Sequence, residues 1–195
     1  MLGKIFQRFV DKSPICVMAR GLLERVLSSD SVDEVFERSA NRQYTRDLLF
    51  STTVDLMSHV VCGQRKSVHA AYQANVDEIG VSVTSVYNKL NGVETVTSQS
   101  LVRDTAESVQ PIIEKMGGTI PPLLPGYRVK ILDGNCLPAT DHRIRELRQS
   151  AAGPLPGKSL VVLDPQLKLA VDVFPCEDGH AQERSLLDQV LPTVE

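Results

Sequence analysis

A segment dense in glycine and proline, GGTIPPLLPG at 117–126, separates two stretches of sequence that differ in hydrophobic periodicity. Upstream of it, apolar residues recur at the three- and four-residue spacing of amphipathic helices. Downstream of it, short continuous apolar runs are typical of strands. We therefore predict an α+β protein, with a helical domain at 1–116, a linker at 117–126 and a strand-containing domain at 127–195.

The helical spacing in the first domain predicts a bundle with short connections. Its helices are expected at 15–28, 31–40, 46–63, 67–80, 82–92 and 97–118. Ser31 followed by Glu34 has the capping-box pattern, which predicts that the second of these helices begins at Ser31.

The second domain is predicted to contain three strands, at 127–133, 159–164 and 167–175, and helices at 141–149 and 180–194. The last two strands are separated by Asp164-Pro165-Gln166, a break that predicts a hairpin turn.

Composition narrows the class of protein. The chain has 195 residues, of which 42% are hydrophobic and 23% are charged, which argues against a disordered chain. It contains no apolar run near the roughly 20 residues that cross a bilayer, so no membrane association is expected. Four widely spaced cysteines without a C-x-x-C pair favour neither a zinc knuckle nor a disulfide scaffold, which suits a cytoplasmic location.

Charge is distributed unevenly along the chain. The net charge is −3, yet residues 1–157 carry 18 Lys and Arg against 17 Asp and Glu, whereas residues 158–195 carry 3 against 7. The acidic end therefore lowers the total, and a local basic surface remains possible upstream.

The segment SVHAAYQANVDEIGVSVTSVYNKLNG at 67–92 has the outline of a helix-turn-helix, with Gly80 at the turn. Val86 and Leu90 are expected to face inward from the second helix. Small polar and basic side chains are expected to face outward, where they could reach phosphates and base edges: Ser82, Thr84, Ser85, Asn88 and Lys89. Arg65 and Lys66 precede the first helix and are suited to backbone contact. Two short helices joined by a glycine turn also occur in ordinary bundles, so the pattern alone leaves both interpretations open.

Asp133 follows the apolar run VKIL and precedes Gly134-Asn135. A carboxylate fixed at the end of a strand can bind Mg²⁺ for phosphoryl transfer, because this hard cation prefers oxygen ligands in fixed positions. Asp-Gly after a strand is also a common turn. Asp172 alternates with Val171 and Val173 and is expected on the opposite sheet face from Asp133.

Two stretches, VKILDGNCLPATDHRIRELR and GKSLVVLDPQLKLAVDVFPCEDGHAQERSLLDQVLP, resemble the start of the catalytic domain of bacterial insertion-sequence transposases of the DDE class, of the insertion-sequence-four type. The helical segment containing VSVTSVYNKLNGVE resembles the region upstream of that domain. The resemblance runs from about residue 40 to the end and implies a ribonuclease-H-like mixed sheet in which three antiparallel strands come first.

The resemblance also implies a chemistry. Asp133 would be the first catalytic acid and a Mg²⁺ ligand, in an enzyme whose three carboxylates hold two Mg²⁺ ions that cut the element's ends and join them to target DNA. The helical part would bind double-stranded DNA at the terminal repeats, with two copies pairing the ends as a homodimer. The later Asp and Glu of the family have no counterpart in this sequence, so we expect a truncated transposase that is inactive alone.

Two other functions fit the same residues. The chain could be a non-catalytic DNA-binding repressor or inhibitor of a full transposase. It could also be a helical interaction protein with no role on DNA. Salt-dependent binding to duplex DNA distinguishes the last of these from the two others.

Overall fold

A computed structural model of the protein describes residue 7 and residues 10–43, 47–137, 157–176 and 183–193. Within these ranges the chain is α+β: helices come first and a three-stranded antiparallel sheet follows. The chain divides into two compact units, Met1–Ser98 and Gln99–Glu195. None of the helices in the described ranges is both long and apolar enough to cross a membrane.

The helices follow the predicted order but differ in their limits. They are α1 (Pro14–Val26), α2 (Ser29–Ser39), α3 (Phe50–Val61), α4 (Val68–Ala74), α5 (Val76–Ile79), α6 (Val83–Gly92) and α7 (Thr95–Lys115). The single helix predicted at 67–80 is interrupted at Asn75, whose side-chain amide donates to the Ala71 carbonyl.

The predicted start of the second helix at Ser31 is wrong. Helix α2 begins at Ser29 with Ser28 as its N-cap, because the Ser28 hydroxyl accepts a hydrogen bond from the Ser31 amide at 3.4 Å. Ser31 therefore lies inside the first turn, and three serines in close succession offered several equivalent capping positions.

The first unit has a core built by α3, α4, α5 and α6. Its buried members are Leu48, Leu56, Ala71, Tyr72, Ile79 and Val86. Val86 and the partly buried Leu90 face this core, as the spacing predicted. Nearby, the rings of Phe36 and Phe50 stack with centroids 4.8 Å apart, which joins α2 to α3.

The sheet consists of β1 (Ile131–Leu137), β2 (Gly157–Asp164) and β3 (Leu169–Cys176), in the order β1-β2-β3 with antiparallel pairing throughout. The predicted strands at 159–164 and 167–175 are confirmed within two residues at each end. The predicted hairpin turn is also confirmed, since β2 and β3 are joined by a short turn.

The strand predicted at 127–133 is displaced along the chain, because pairing with β2 begins at Ile131 and continues to Leu137. The residues before it include a turn at Leu124–Tyr127, in which Gly126 takes a φ of 81°. The predicted linker at 117–126 follows α7, whereas the two compact units divide earlier, within that helix.

One face of the sheet is buried, and the other, here called the open face, carries the exposed Asp133 and the half-buried Val161 and Val173. Leu160, Val162 and Phe174 point to the buried face, where Leu186 and Val190 pack against them. The helix predicted at 180–194 is instead a short α-helix, α8 (Leu187–Val190), between the 3-10 turns Glu183–Leu186 and Leu191–Thr193. Residues 180–182 and 194, and the whole helix predicted at 141–149, lie outside the described residues.

Candidate functional site

The turn between α5 and α6 is fixed by two local features. Gly80 has a φ of 68°, a left-handed conformation that costs an L-residue with a side chain about 1–2 kcal/mol. The hydroxyl of Tyr72 donates to the Val81 carbonyl at 2.8 Å and so ties α4 to the far side of the turn. The angle at which α6 leaves the turn is therefore set by the left-handed conformation of Gly80 and by this hydrogen bond.

Helix α6 and its N-cap carry five of the seven side chains that were predicted to contact DNA. Ser82 is the N-cap, and its hydroxyl accepts from the Ser85 amide at 3.2 Å and lies 3.0 Å from the Ser85 hydroxyl. Ser82, Thr84, Ser85 and Asn88 are all exposed, as predicted. The Ser82 hydroxyl therefore also caps the N-terminus of α6, a structural role that was not predicted from the sequence.

Replacing Ser82 with alanine is expected to lower the free energy of unfolding by about 1 kcal/mol, because the Ser85 amide loses its capping acceptor. Chemical denaturation followed by circular dichroism measures this change. Ser82→Asn, which retains a side-chain acceptor at the cap, should stay close to the wild type. Equal stability of wild type and Ser82→Ala would show that the cap contributes nothing.

The prediction that Lys89 faces outward is wrong. The residue is 9% exposed, and its Nζ lies 4.0 Å from the centroid of the Phe36 ring. Burial lowers the pKa of the Lys89 ammonium, and the nearby carboxylate of Asp33 opposes that shift in part. The long aliphatic stem and the aromatic partner allow this lysine to pack inside the unit.

Arg65 and Lys66 are both exposed, in the short connection between α3 and α4. Helix α3 ends at Val61, Gly63 just beyond it has a φ of 70°, and the Arg65 amide donates to the His59 carbonyl at 3.0 Å. Gly63 thus turns the chain so that two adjacent cations precede α4. The structure agrees with the predicted position of both residues ahead of the helix.

Asp133 lies within β1 and not at its end, so the predicted position at a strand terminus is wrong, and so is the alternative of an Asp-Gly turn. The ladder continues through Gly134 and Asn135 because they pair with Leu160 and Ser159 of β2. Asp133 is exposed on the open face of the sheet.

A Mg²⁺ ion needs several oxygen ligands in fixed positions, and this can be tested on the open face. Asp133 is aligned there with Val161 and Val173, which supply no carboxylate. In the described part of the chain, no three Asp, Glu, His or Cys side chains are grouped so that they could hold a metal ion. The described residues therefore do not fit a two-ion site.

Asp172 and Asp164 occupy the buried face. The strand register puts Asp172 beside Val162 and Leu132, opposite the face of Asp133, which confirms that prediction. Arg103 of α7 binds the Asp172 carboxylate with two hydrogen bonds of 2.8 Å, from Nε and Nη2. This fork-to-fork geometry is the strong form of an ion pair.

Asp164 is completely buried and is the most heavily hydrogen-bonded carboxylate of the described residues. Its Oδ2 accepts from Lys130 Nζ at 2.5 Å and from Arg128 Nε and Nη2 at 3.2 and 3.0 Å. Its Oδ1 accepts from the amides of Gln166 and Leu167, which closes the turn. Burial raises the pKa of Asp164, but the hydrogen bonds from Lys130, Arg128 and the Leu167 amide outweigh it and hold the pKa below its ordinary value.

From the sequence, Asp164 was predicted only as a turn residue, and Arg103, Arg128 and Lys130 were not predicted as site residues. The available signal was the alternation of Arg128 and Lys130, two cations on the same side of a chain that approaches a sheet. That spacing places both side chains where they can reach one acceptor.

Comparisons with protein-family models, with curated protein sequences and with solved structures found no match.

Proposed function

We propose that the chain binds double-stranded DNA through α4, α5 and α6, as a transposase of the DDE class whose helical unit recognises the terminal repeats of an insertion sequence. The observation that carries this proposal is the exposed polar surface at the start of α6. It follows a turn fixed by Gly80 and by the Tyr72–Val81 hydrogen bond.

The dimensions of α6 suit the major groove of DNA. A helix of 10 residues is about 15 Å long, and the groove admits one helix. Thr84 and Asn88 are four residues apart and therefore lie on one side of α6, and both are exposed. The amide of Asn88 can donate and accept at once, which is the pattern that reads adenine in the major groove.

Arg65 and Lys66 supply the positive charge that such a contact requires. They are exposed just before α4, and cations in this position bind phosphates on either side of a groove. Because Lys89 is buried, the contacts to phosphates are assigned to Arg65 and Lys66 alone. Because few cations would contact the DNA, we expect the affinity to depend only modestly on salt concentration.

The catalytic part of the proposal rests on the resemblance and on one residue. Asp133 is exposed on the open sheet face and would be available as one carboxylate ligand of Mg²⁺. Because the described residues do not complete such a site, we assign the chain no cleavage step. DNA binding is the part of the function that can be tested on this polypeptide, and pairing of two copies is a further prediction of the same proposal.

We expect the double substitution Arg65→Gln, Lys66→Gln to reduce duplex affinity at low salt. It should also lower the slope of log affinity against log salt by up to about 2, since each lost phosphate contact removes about 0.9. Fluorescence anisotropy with a labelled duplex, measured between low and moderate salt, gives both quantities.

Two controls make this result specific. Arg20→Gln, Arg25→Gln removes the same charge from exposed positions of α1 and should leave the slope unchanged. Lys89→Met removes a buried charge and should also leave it unchanged. An equal loss of slope in the α1 variant, or wild-type binding that does not vary with salt, would contradict the proposal and favour a helical interaction protein.

A further inference from the structure

A cleft of about 350 Å³ lies in the second unit between α7 and the buried face of the sheet. Arg103, Ala106 and Gln110 line it from the helix, and Arg128, Lys130 and Asp172 line it from the strands and the segment before them. A second cleft of about 500 Å³ adjoins it and shares Gln110 and Arg128. Arg128 therefore stands at the boundary of both clefts.

The cations of this cleft are held in place by ion pairs, yet each retains N–H groups that can donate further hydrogen bonds. Arg103 and Arg128 each direct Nε and Nη2 at a carboxylate, which leaves Nη1 of each guanidinium without a partner among the described residues. Lys130 directs Nζ at Asp164 and has further N–H groups. Arg103 is held additionally by Phe174, whose ring centroid lies 5.7 Å from its Cζ.

The two buried aspartates that bind these cations, in contrast, already accept hydrogen bonds at both carboxylate oxygens. Both oxygens of Asp164 accept hydrogen bonds, and five donors converge on this one carboxylate. Asp172 accepts from Arg103, from Gln99 and from the Val173 amide. Glu107 also lines the cleft, but it is exposed and its charge is screened by solvent.

We propose that this cleft binds a tetrahedral oxyanion, a phosphate group, between the unused donors of Arg128, Arg103 and Lys130. A phosphate brings acceptors to a surface that is rich in donors and whose buried carboxylates are already occupied, and it matches the planar fork of a guanidinium. The ion pairs fix the arginines before binding, so little side-chain entropy is lost on binding. This inference does not depend on DNA binding by the first unit.

The first test is a titration of the full chain with inorganic phosphate, at constant ionic strength maintained with chloride. Arginine Nε resonances and thermal unfolding are followed together. We expect saturable binding that Arg128→Gln weakens by about tenfold, the usual effect of losing a charge-assisted hydrogen bond. Arg128→Gln leaves Lys130 and two backbone amides on Asp164, so we expect the fold to be retained.

Arg20→Gln is the matched control, because it removes an exposed arginine from α1 in the other unit. Arg128→Lys serves if Arg128→Gln does not fold, since it retains the charge and loses the fork, and it should still weaken binding. No saturable binding by the wild type would overturn the inference. Equal weakening by Arg20→Gln and Arg128→Gln would overturn it as well.

The same variant distinguishes the two sources of a phosphate group. If the cleft takes a phosphodiester of DNA, Arg128→Gln lowers duplex affinity and reduces the salt slope by about one. If it takes a free phosphate or a small phosphorylated molecule, duplex affinity is unchanged while phosphate binding is weakened. Either result supports an oxyanion site, provided that the phosphate titration shows the expected loss.

Discussion

Replacing Asp164 with asparagine is expected to lower the free energy of unfolding of the second unit by about 3–5 kcal/mol, the usual cost of removing one partner of a buried ion pair. The substitution leaves Lys130, whose side chain is 12% exposed, without its carboxylate. The amide that replaces Oδ1 or Oδ2 also brings N–H donors toward groups that are themselves donors. Neither Arg128 nor Lys130 can restore the ion pair by moving, because the asparagine side chain carries no negative charge.

The pH dependence of stability follows from the direction of the Asp164 pKa. The pKa is lower in the folded chain than in the unfolded chain, where an aspartate titrates at about 3.9. The stabilisation is therefore fully present above that unfolded value and is lost as the pH falls through the folded pKa. The difference in stability between the wild type and Asp164→Asn should consequently shrink as the pH falls below about 4.

Urea denaturation at neutral and acidic pH measures both effects, and Asp133→Asn is the matched control. Asp133 is an exposed aspartate in the same sheet, so this identical chemical change should alter stability by less than about 0.5 kcal/mol. If Asp164→Asn and Asp133→Asn cost the same, the hydrogen bonds to Asp164 do not stabilise the unit. A difference that persists undiminished at low pH would show that the ionised carboxylate is not its source.

Hydrophobic periodicity was sufficient to predict that helices come first and three strands follow among the described residues, because it records which side of each element must be buried. The change from helices to strands after 117–126 and the hairpin before β3 both follow from that pattern and from turn residues. Boundaries were less predictable. β1 extends to Leu137 because β2 offers it partners, and partners distant in sequence leave no mark on the local pattern.

The candidate site was predictable where exposure followed from helical spacing alone. Thr84, Ser85 and Asn88 are exposed as their positions on α6 require. Lys89 could not be predicted in this way, since its burial depends on the Phe36 ring of another helix. From the sequence alone, a charged residue at the edge of an apolar helix face is predicted to be exposed, because the side chain it packs against in the folded protein is not known.

The ion pairs on the sheet illustrate the same limitation. Asp172 contacts Arg103 across 69 positions of sequence, and Asp164 contacts Lys130 across 34. Alternation predicted correctly which face Asp172 occupies but not what it meets there. Long-range electrostatic partners are determined by tertiary packing, so the cleft between them became visible only in the structure.

Replacing Leu56 with alanine should lower the free energy of unfolding of the first unit by about 2–5 kcal/mol, because the side chain is buried where α3 meets the other core helices. Leu56 is 1% exposed and packs with Ala71, Tyr72 and Val86, so the substitution leaves a cavity that rigid helices cannot fill completely.

This substitution tests whether the core supports the proposed DNA-binding surface, since Leu56 itself is buried away from solvent. Leu49→Ala is the matched control: Leu49 precedes the same helix, is 42% exposed, and its replacement should cost less than about 1 kcal/mol.

Circular dichroism with urea gives the stabilities, and duplex binding is then measured at a temperature where each variant is folded. Affinity should be retained there and lost in parallel with unfolding on heating, because Val86 holds α6 to this core from its buried side. Equal destabilisation by the two substitutions would contradict the packing, and lost affinity in a fully folded Leu56→Ala protein would contradict the separation of core from binding surface.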